Sequence, residues 1–218
     1  MANDILYIHG MGGGGDSRIP SILRDALAGS AEVIVRTYDF DPEKAACQIA
    51  GWYEEVKPVL VIGESLGALH ALRLRGVPHL FVSPSLNAAL LFDRLAWLAL
   101  IPGVTLLLDR IYRPREGDRQ KLHFTFGTLR KYGSHRKAAL TNTVSAGSSD
   151  LFHAFFGTRD HYRRSGIVSI RTWEKHFGKD SYEMYEGTHF MEEEFIHEKL
   201  VPRIISFLDT ASDLPQES

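Results

Sequence analysis

Covalent and metallic cross-links are all but missing from these 218 residues. There is one cysteine, Cys47, which excludes an intramolecular disulfide and fits a reducing compartment. The ten histidines show no HExxH or clustered Cys/His spacing, so neither a metal nor a cofactor is expected. Long apolar runs are absent too. The most apolar stretch, 95–108, is broken by Pro102-Gly103 and, at about 14 residues, falls short of the roughly 20 that span a bilayer. Neither sign of charge dominates. Lys and Arg number 25 against 27 Asp and Glu, which gives no reason to expect a nucleic-acid partner for the whole chain. The first nine residues lack a basic segment followed by a long apolar one, so no signal peptide is read and a cytoplasmic location is expected. No internal repeat or low-complexity tract is present.

What is present is an alternation. Short apolar runs at 5–9 (ILYIH), 32–37 (EVIVRT), 59–63 (VLVIG), 79–83 (HLFVS), 151–157 (LFHAFFG) and 181–186 (SYEMYE) read as six strands. Several are nearly continuous apolar runs, as parallel strands covered on both faces require. Helical patterns at 17–28, 42–56, 65–75, 169–177 and 193–208 lie between them or follow them, with Pro42 as a start signal and Gly76 as a stop. This order predicts a three-layer α/β/α sandwich around a mostly parallel six-stranded sheet. Residues 1–83 and 148–210 form its core. Residues 84–147 interrupt the rhythm and read as a helical lid or cap, and 211–218 as a polar, disordered tail. Within the insertion 110–137 is basic: Arg110, Arg113, Arg115, Arg119, Lys121, Arg130, Lys131, Arg136 and Lys137 face only Glu116 and Asp118. Such a run is either a solvated face or an attractor of anions. Cys47 is expected to be a small buried hydrophobe on its helix.

Gly63-Glu64-Ser65-Leu66-Gly67 leaves one predicted strand and opens a helix. A serine on so sharp a turn is lifted clear of the sheet, and the crowded backbone demands glycine two residues to either side. The bland reading is a helix-capping serine in a tight turn. A second signal is His9-Gly10-Met11-Gly12 and the glycines to Gly15. Glycines after a strand let backbone N–H groups approach a ligand, here as half of an oxyanion hole through Met11, with the N–H of Leu66 as the other half. The same glycines fit G-x-G-x-x-G, with Asp39 placed like a ribose-binding acid, and so admit a nucleotide-binding oxidoreductase. A third signal is the pair Gly157-Thr158-Arg159-Asp160 and Gly187-Thr188-His189-Phe190, each just past a strand. All strand C-termini of a parallel sheet share one edge, so Ser65, Asp160 and His189 can meet there. Histidine is the residue type suited to accept a serine proton near neutrality, and aspartate the type that orients it.

Together IHGMGGGG, GESLG, FFGTRD and YEGTHF resemble the α/β-hydrolase superfamily of serine hydrolases, over 5–190 of the chain. The resemblance implies the strand order 2-1-3-4-5-6 and a catalytic triad Ser65, His189 and Asp160 at the strand C-terminal edge. It further implies cleavage of an ester or related acyl bond through an acyl-enzyme, with a small acyl molecule as substrate. The pocket is expected to draw on Gly12, Phe92, Trp97 and His161. A non-catalytic, ligand-binding relative of the same fold is the alternative. The fold leaves the oligomeric state open, and hosts many reactions.

Overall fold

The computed structural model describes residues 3–112, 116–142 and 151–212. Six strands form one sheet: β1 (Asp4–Ile8), β2 (Glu32–Val35), β3 (Leu60–Glu64), β4 (His79–Val82), β5 (Phe152–Gly157) and β6 (Tyr182–Tyr185). Their order is β2-β1-β3-β4-β5-β6, and every neighbouring pair is parallel. The expected order is therefore observed, and the sheet is wholly parallel. From β1, second from one edge, the path goes out to the edge strand β2, returns to β3 on the other side of β1, and proceeds to β6 at the far edge.

Side chains alternate across the strands and so divide the interior into two cores. Ile5, Tyr7, Leu60, Ile62, Leu80 and Val82 point to one face. There they meet Leu23 of α1 (Arg18–Ala26) and Ile204 of the C-terminal helix. Leu6, Ile8, Val61, Phe81 and Phe156 point to the other, against α2 (Pro42–Val56), α3 (Gly67–Ala71) and α7 (Ile170–Phe177). Two of these helices begin where a side chain replaces a missing backbone acceptor. Asp41 accepts the N–H of Glu43 at 3.0 Å ahead of Pro42, and Ser169 accepts the N–H of Thr172 at 3.1 Å. The C-terminal helix runs as α8 (Glu193–Phe195), a π-helical turn (Ile196–Leu200) and α9 (Val201–Ser212). Pro202, which has no N–H to give, stands just past the wide turn. The predicted helix at 65–75 is reduced to α3, because Ser65 and Leu66 make the turn that feeds it.

Between β4 and β5 lie α4 (Ala88–Leu98), α5 (Val104–Ile111) and α6 (Phe126–Asn142). α6 packs along α2, α3 and α4, and Leu129, Tyr132 and Ala139 are buried in the same core as Phe40, Ile49 and Leu69. This part of the 84–147 segment is thus built into the core of one face. Four of its basic residues have partners within the protein. Arg119 pairs with Asp16, Arg130 with Asp93, and Lys131 with Asp41 and Glu43, while Arg136 donates to the carbonyl of Leu86 and to Asn87 Oδ1. Arg113 and Arg115, residues 143–147 of the insertion and residues 213–218 of the expected tail lie outside the described residues. Cys47 is exposed, contrary to expectation. Ala45 and Ile49 hold the buried side of α2, and two residues along a helix turns Cys47 roughly 200° from Ala45. Among the described residues no helix is long and apolar enough to cross a membrane.

Candidate active site

The turn after β3 is built by exclusion. Ser65 holds a left-handed backbone with φ 49°, a costly conformation for a residue with a side chain. A Cβ on Gly67 would sit 2.4 Å from the carbonyl oxygens of Ile8 and His9, and one on Gly63 would sit 2.9 Å from Ala71 Cβ. Only glycine lets α3 press this closely on β1 and β3. Ser65 N–H donates to the carbonyl of Val82 at 2.9 Å, tying the turn to β4.

Two later loops deliver the partners. A Cβ on Gly157 would lie 2.4 Å from the Thr188 carbonyl oxygen, and Arg159 N–H donates to the carbonyl of Gly187 at 2.9 Å. The loops after β5 and β6 are therefore pressed into one unit. Asp160 is buried and caps a 3₁₀ turn (His161–Arg163): its Oδ1 accepts the Tyr162 N–H at 2.8 Å. Its Oδ2 accepts Nδ1–H of His189 at 2.8 Å. With that proton on Nδ1, Nε2 of His189 is the acceptor for the Ser65 hydroxyl, at 2.9 Å. Glu192 braces the histidine loop by accepting the Thr188 N–H, and Tyr185 donates to the Thr188 carbonyl at 2.7 Å. Ser65, His189 and Asp160 thus form a continuous hydrogen-bonded chain across residues up to 124 positions apart.

The glycine loop after β1 lies against the serine. A Cβ on Gly10 would be 3.1 Å from Ser65 Cβ and 3.7 Å from its Oγ. Most donors of the loop are engaged within the protein. Gly12 N–H donates to Gln120 Oε1, Gly13 to the carbonyl of Gly10, Gly14 to Ser17 Oγ and Gly15 to Thr37 Oγ1. The N–H groups of Met11 and Leu66 have no acceptor among the described residues, and both residues line the cavity above Ser65. The dinucleotide reading of this loop loses its physical basis. The amides that would cradle a pyrophosphate are bonded elsewhere, and a Cβ on Gly14 would run into the Asp118 backbone, so the glycine run serves close packing. Asp39 is occupied as well, its Oδ1 accepting the Asp41 N–H at 2.8 Å.

The cavity measures about 630 Å³. Ser65, Ser85 and His189 lie at its polar end, and Leu91, Phe92, Leu95, Leu108 and Phe124 make an apolar wall. Gly12 and Phe92 line it as expected. Trp97 and His161 do not. Trp97 stands on the solvent side of α4, edge-on to Phe126, while Phe92 takes the inner side. His161 is exposed and lies tilted against Tyr162, and it is Tyr162 that lines the cavity and meets the His189 ring edge-on at 4.6 Å. Three further residues shape the site, of which Ser85 and Gln120 lie in no motif and Glu64 fills a variable position of one. Ser85 places its hydroxyl 3.1 Å from that of Ser65, Gln120 bridges Gly12 and the Tyr38 carbonyl, and Glu64 accepts the buried Tyr7 hydroxyl at 2.8 Å. Burial, and then the Glu64 carboxylate, hold the Tyr7 phenol well above its usual range.

Beneath the loop runs a buried ring stack. His9 lies on Tyr38 at 4.3 Å, Tyr38 meets His70 at 5.0 Å, and His70 meets His135 at 4.5 Å. Neither ring nitrogen of His70 has a partner among the described residues. Burial pushes His9 and His135 down to about 4 and His70 well below the usual histidine range.

The sequence matches no family model and no curated protein. Solved structures do match. An esterase of Pyrococcus furiosus superposes with a TM-score of 0.61 at 14% identity, covering 96% of this chain and 82% of the other. A metagenome-derived lipolytic enzyme of the LipS and LipT pair gives 0.60 at 14% identity, with 96% and 94% covered. A carboxylesterase of the thaumarchaeon Nitrososphaera gargenis gives 0.57 at 13% identity, with 98% and 92% covered. The chain has the α/β-hydrolase fold.

Proposed function

We propose that this protein is a serine hydrolase that cleaves carboxylic esters or closely related acyl bonds. The observation that carries the reading is the unbroken chain from the Ser65 hydroxyl through His189 to buried Asp160, opening on an apolar cavity. Ser65 Oγ attacks the acyl carbonyl while His189 Nε2 takes its proton, and Asp160 holds the imidazole in the right tautomer and stabilises the imidazolium. The oxyanion is met by the N–H groups of Met11 and Leu66, which carry no other load. His189 then gives its proton to the departing alcohol. A water activated by the same nitrogen attacks the Ser65 acyl ester and releases the acid. Leu91, Phe92, Leu95, Leu108 and Phe124 are suited to an acyl chain, and residues 84–147 supply that wall as a cap over the sheet edge. The protein acts in the cytoplasm, where an exposed Cys47 thiol stays reduced.

A fluorophosphonate probe followed by peptide mass spectrometry tests this without a guess at the substrate. The expected adduct sits on Ser65 and disappears in His189→Ala. Absence of labelling at neutral pH, with the fold intact by circular dichroism, would sink the reading and leave a ligand-binding protein.

A further inference from the structure

Exposed apolar side chains are not spread over this surface. Of fourteen large hydrophobics that stand open to solvent among the described residues, ten fall between Leu90 and Tyr112. On α4 the outward positions Leu90, Arg94, Trp97, Leu98 and Ile101 follow the helical repeat along one face and past its end. α5 buries no residue, and Leu106 is 73% exposed. Isolated exposed leucines are ordinary, but ten exposed apolar side chains within one short stretch of chain mark an interaction surface.

The field is continuous with the cavity mouth. Leu91 and Tyr112 belong to both, and of the other exposed residues lining the cavity Met11 and Phe190 are apolar and Arg18 is cationic. Its most exposed charges are cationic. Arg94 and Arg110 are the exposed charged residues of 88–112, while Asp93 pairs with Arg130 and Asp109 accepts the Phe124 N–H. We infer that the α4–α5 segment docks on the surface of an anionic phospholipid bilayer, with its apolar side chains in the headgroup–acyl boundary and its arginines on lipid phosphates. An outward face of Leu, Ile and Trp flanked by Arg is the composition that lies in such an interface. A second copy of the chain or another protein seated here would cover the mouth of the cavity. A bilayer covers the same apolar area and leaves an acyl lipid in line with the opening. Docking does not rest on the hydrolase reading; delivery of a lipid substrate does.

Flotation with phosphatidylcholine vesicles, with and without phosphatidylglycerol, tests docking on the full chain. Binding should require the anionic lipid, and Trp97 emission should move to the blue as its ring leaves water. Trp173 is buried and cannot give that signal. Leu106→Asp/Leu107→Asp should weaken vesicle binding roughly tenfold or more, and Arg94→Gln/Arg110→Gln should cut the dependence on phosphatidylglycerol roughly tenfold. Neither pair lines the cavity, so probe labelling of Ser65 should persist in both and report an intact fold. Failure of the wild-type chain to float with anionic vesicles overturns the inference. So does a concentration-dependent dimer that Leu106→Asp/Leu107→Asp dissolves. Vesicle binding without Ser65 labelling would keep the docking surface and remove the hydrolase.

Discussion

The hydroxyl of Ser85 lies 3.1 Å from the hydroxyl of Ser65, and the Ser85 N–H donates to the Ser65 carbonyl at 3.0 Å. The Ser65 proton is directed to His189, so Ser85 is the donor and Ser65 Oγ the acceptor. In an acyl-enzyme that same oxygen is the leaving group of deacylation, where a donor lowers the barrier. Ser85→Ala should cut kcat about 3- to 10-fold, the worth of one neutral hydrogen bond. Deacylation should suffer more than acylation, so stopped-flow turnover of a nitrophenyl ester should show a larger burst. An unaltered burst and kcat would remove Ser85 from the chemistry.

Ser65 carries a conformational strain that can be separated from its reactivity. Ser65→Ala and Ser65→Gly should both lower kcat by roughly 10³-fold or more. Only glycine relaxes at φ 49°, so Ser65→Gly should be more stable than Ser65→Ala by about 1 kcal/mol. Paired thermal melts would show it. Asp160→Asn keeps the acceptor for the Tyr162 N–H but cannot enforce the tautomer of His189, and kcat should fall by roughly 10⁴-fold.

The buried rings of His9, His70 and His135 make the fold sensitive to acid. They are neutral when folded and gain a proton on unfolding below an ordinary histidine value. Between about pH 6.5 and about pH 4 the unfolded chain therefore binds more protons, and stability falls as pH drops through that window. Above about pH 6.5 this stability is full, and the decline levels off for His9 and His135 below about 4. His9 and His135 each contribute a loss of up to roughly 3 kcal/mol. Urea melts at pH 7.5 and pH 4.5 should differ accordingly. His70→Leu, which removes two unpartnered nitrogens, should shrink the difference; an equal drop in the variant would clear His70.

Gly67 and Gly10 should respond differently to alanine. At Gly67 the added Cβ meets two backbone carbonyls at 2.4 Å, and neither can move without shifting β1. A loss of roughly 3 kcal/mol or more is expected in a denaturant melt. At Gly10 the nearest atom is Ser65 Cβ at 3.1 Å. That variant should fold and lose turnover, because the oxygen beside it is displaced.

The parallel sheet was legible because strands such as 59–63 and 79–83 are nearly continuous apolar runs, as strands covered on both faces tend to be, whereas the strand order was implied by the family resemblance. Ser65, Asp160 and His189 were legible for a related reason: each stands just past a strand, and a parallel sheet brings such positions to one edge. Ser85 had no such mark. It follows β4 through Ser83, whose φ of 47° turns the chain back toward Ser65, and nothing in Ser-Pro-Ser announces that turn. Gln120 reaches Gly12 from 108 residues away, a contact set by how 118–120 lies on Gly14. Trp97 and Cys47 were misplaced because apolar content says that a helix has a buried side, while only its neighbours decide which side that is.

The position of β6 has a consequence for synthesis. It is the last strand of the sheet, it lies at the edge, and it carries His189 on the loop that follows it. The first four strands and the Ser65 turn leave the ribosome well before it. Until β6 is laid against β5, the serine has no base within reach, whatever else has folded. On the proposed hydrolase reading, the nascent chain carries its hydroxyl in a dormant form, and the act that completes the sheet is also the one that arms it.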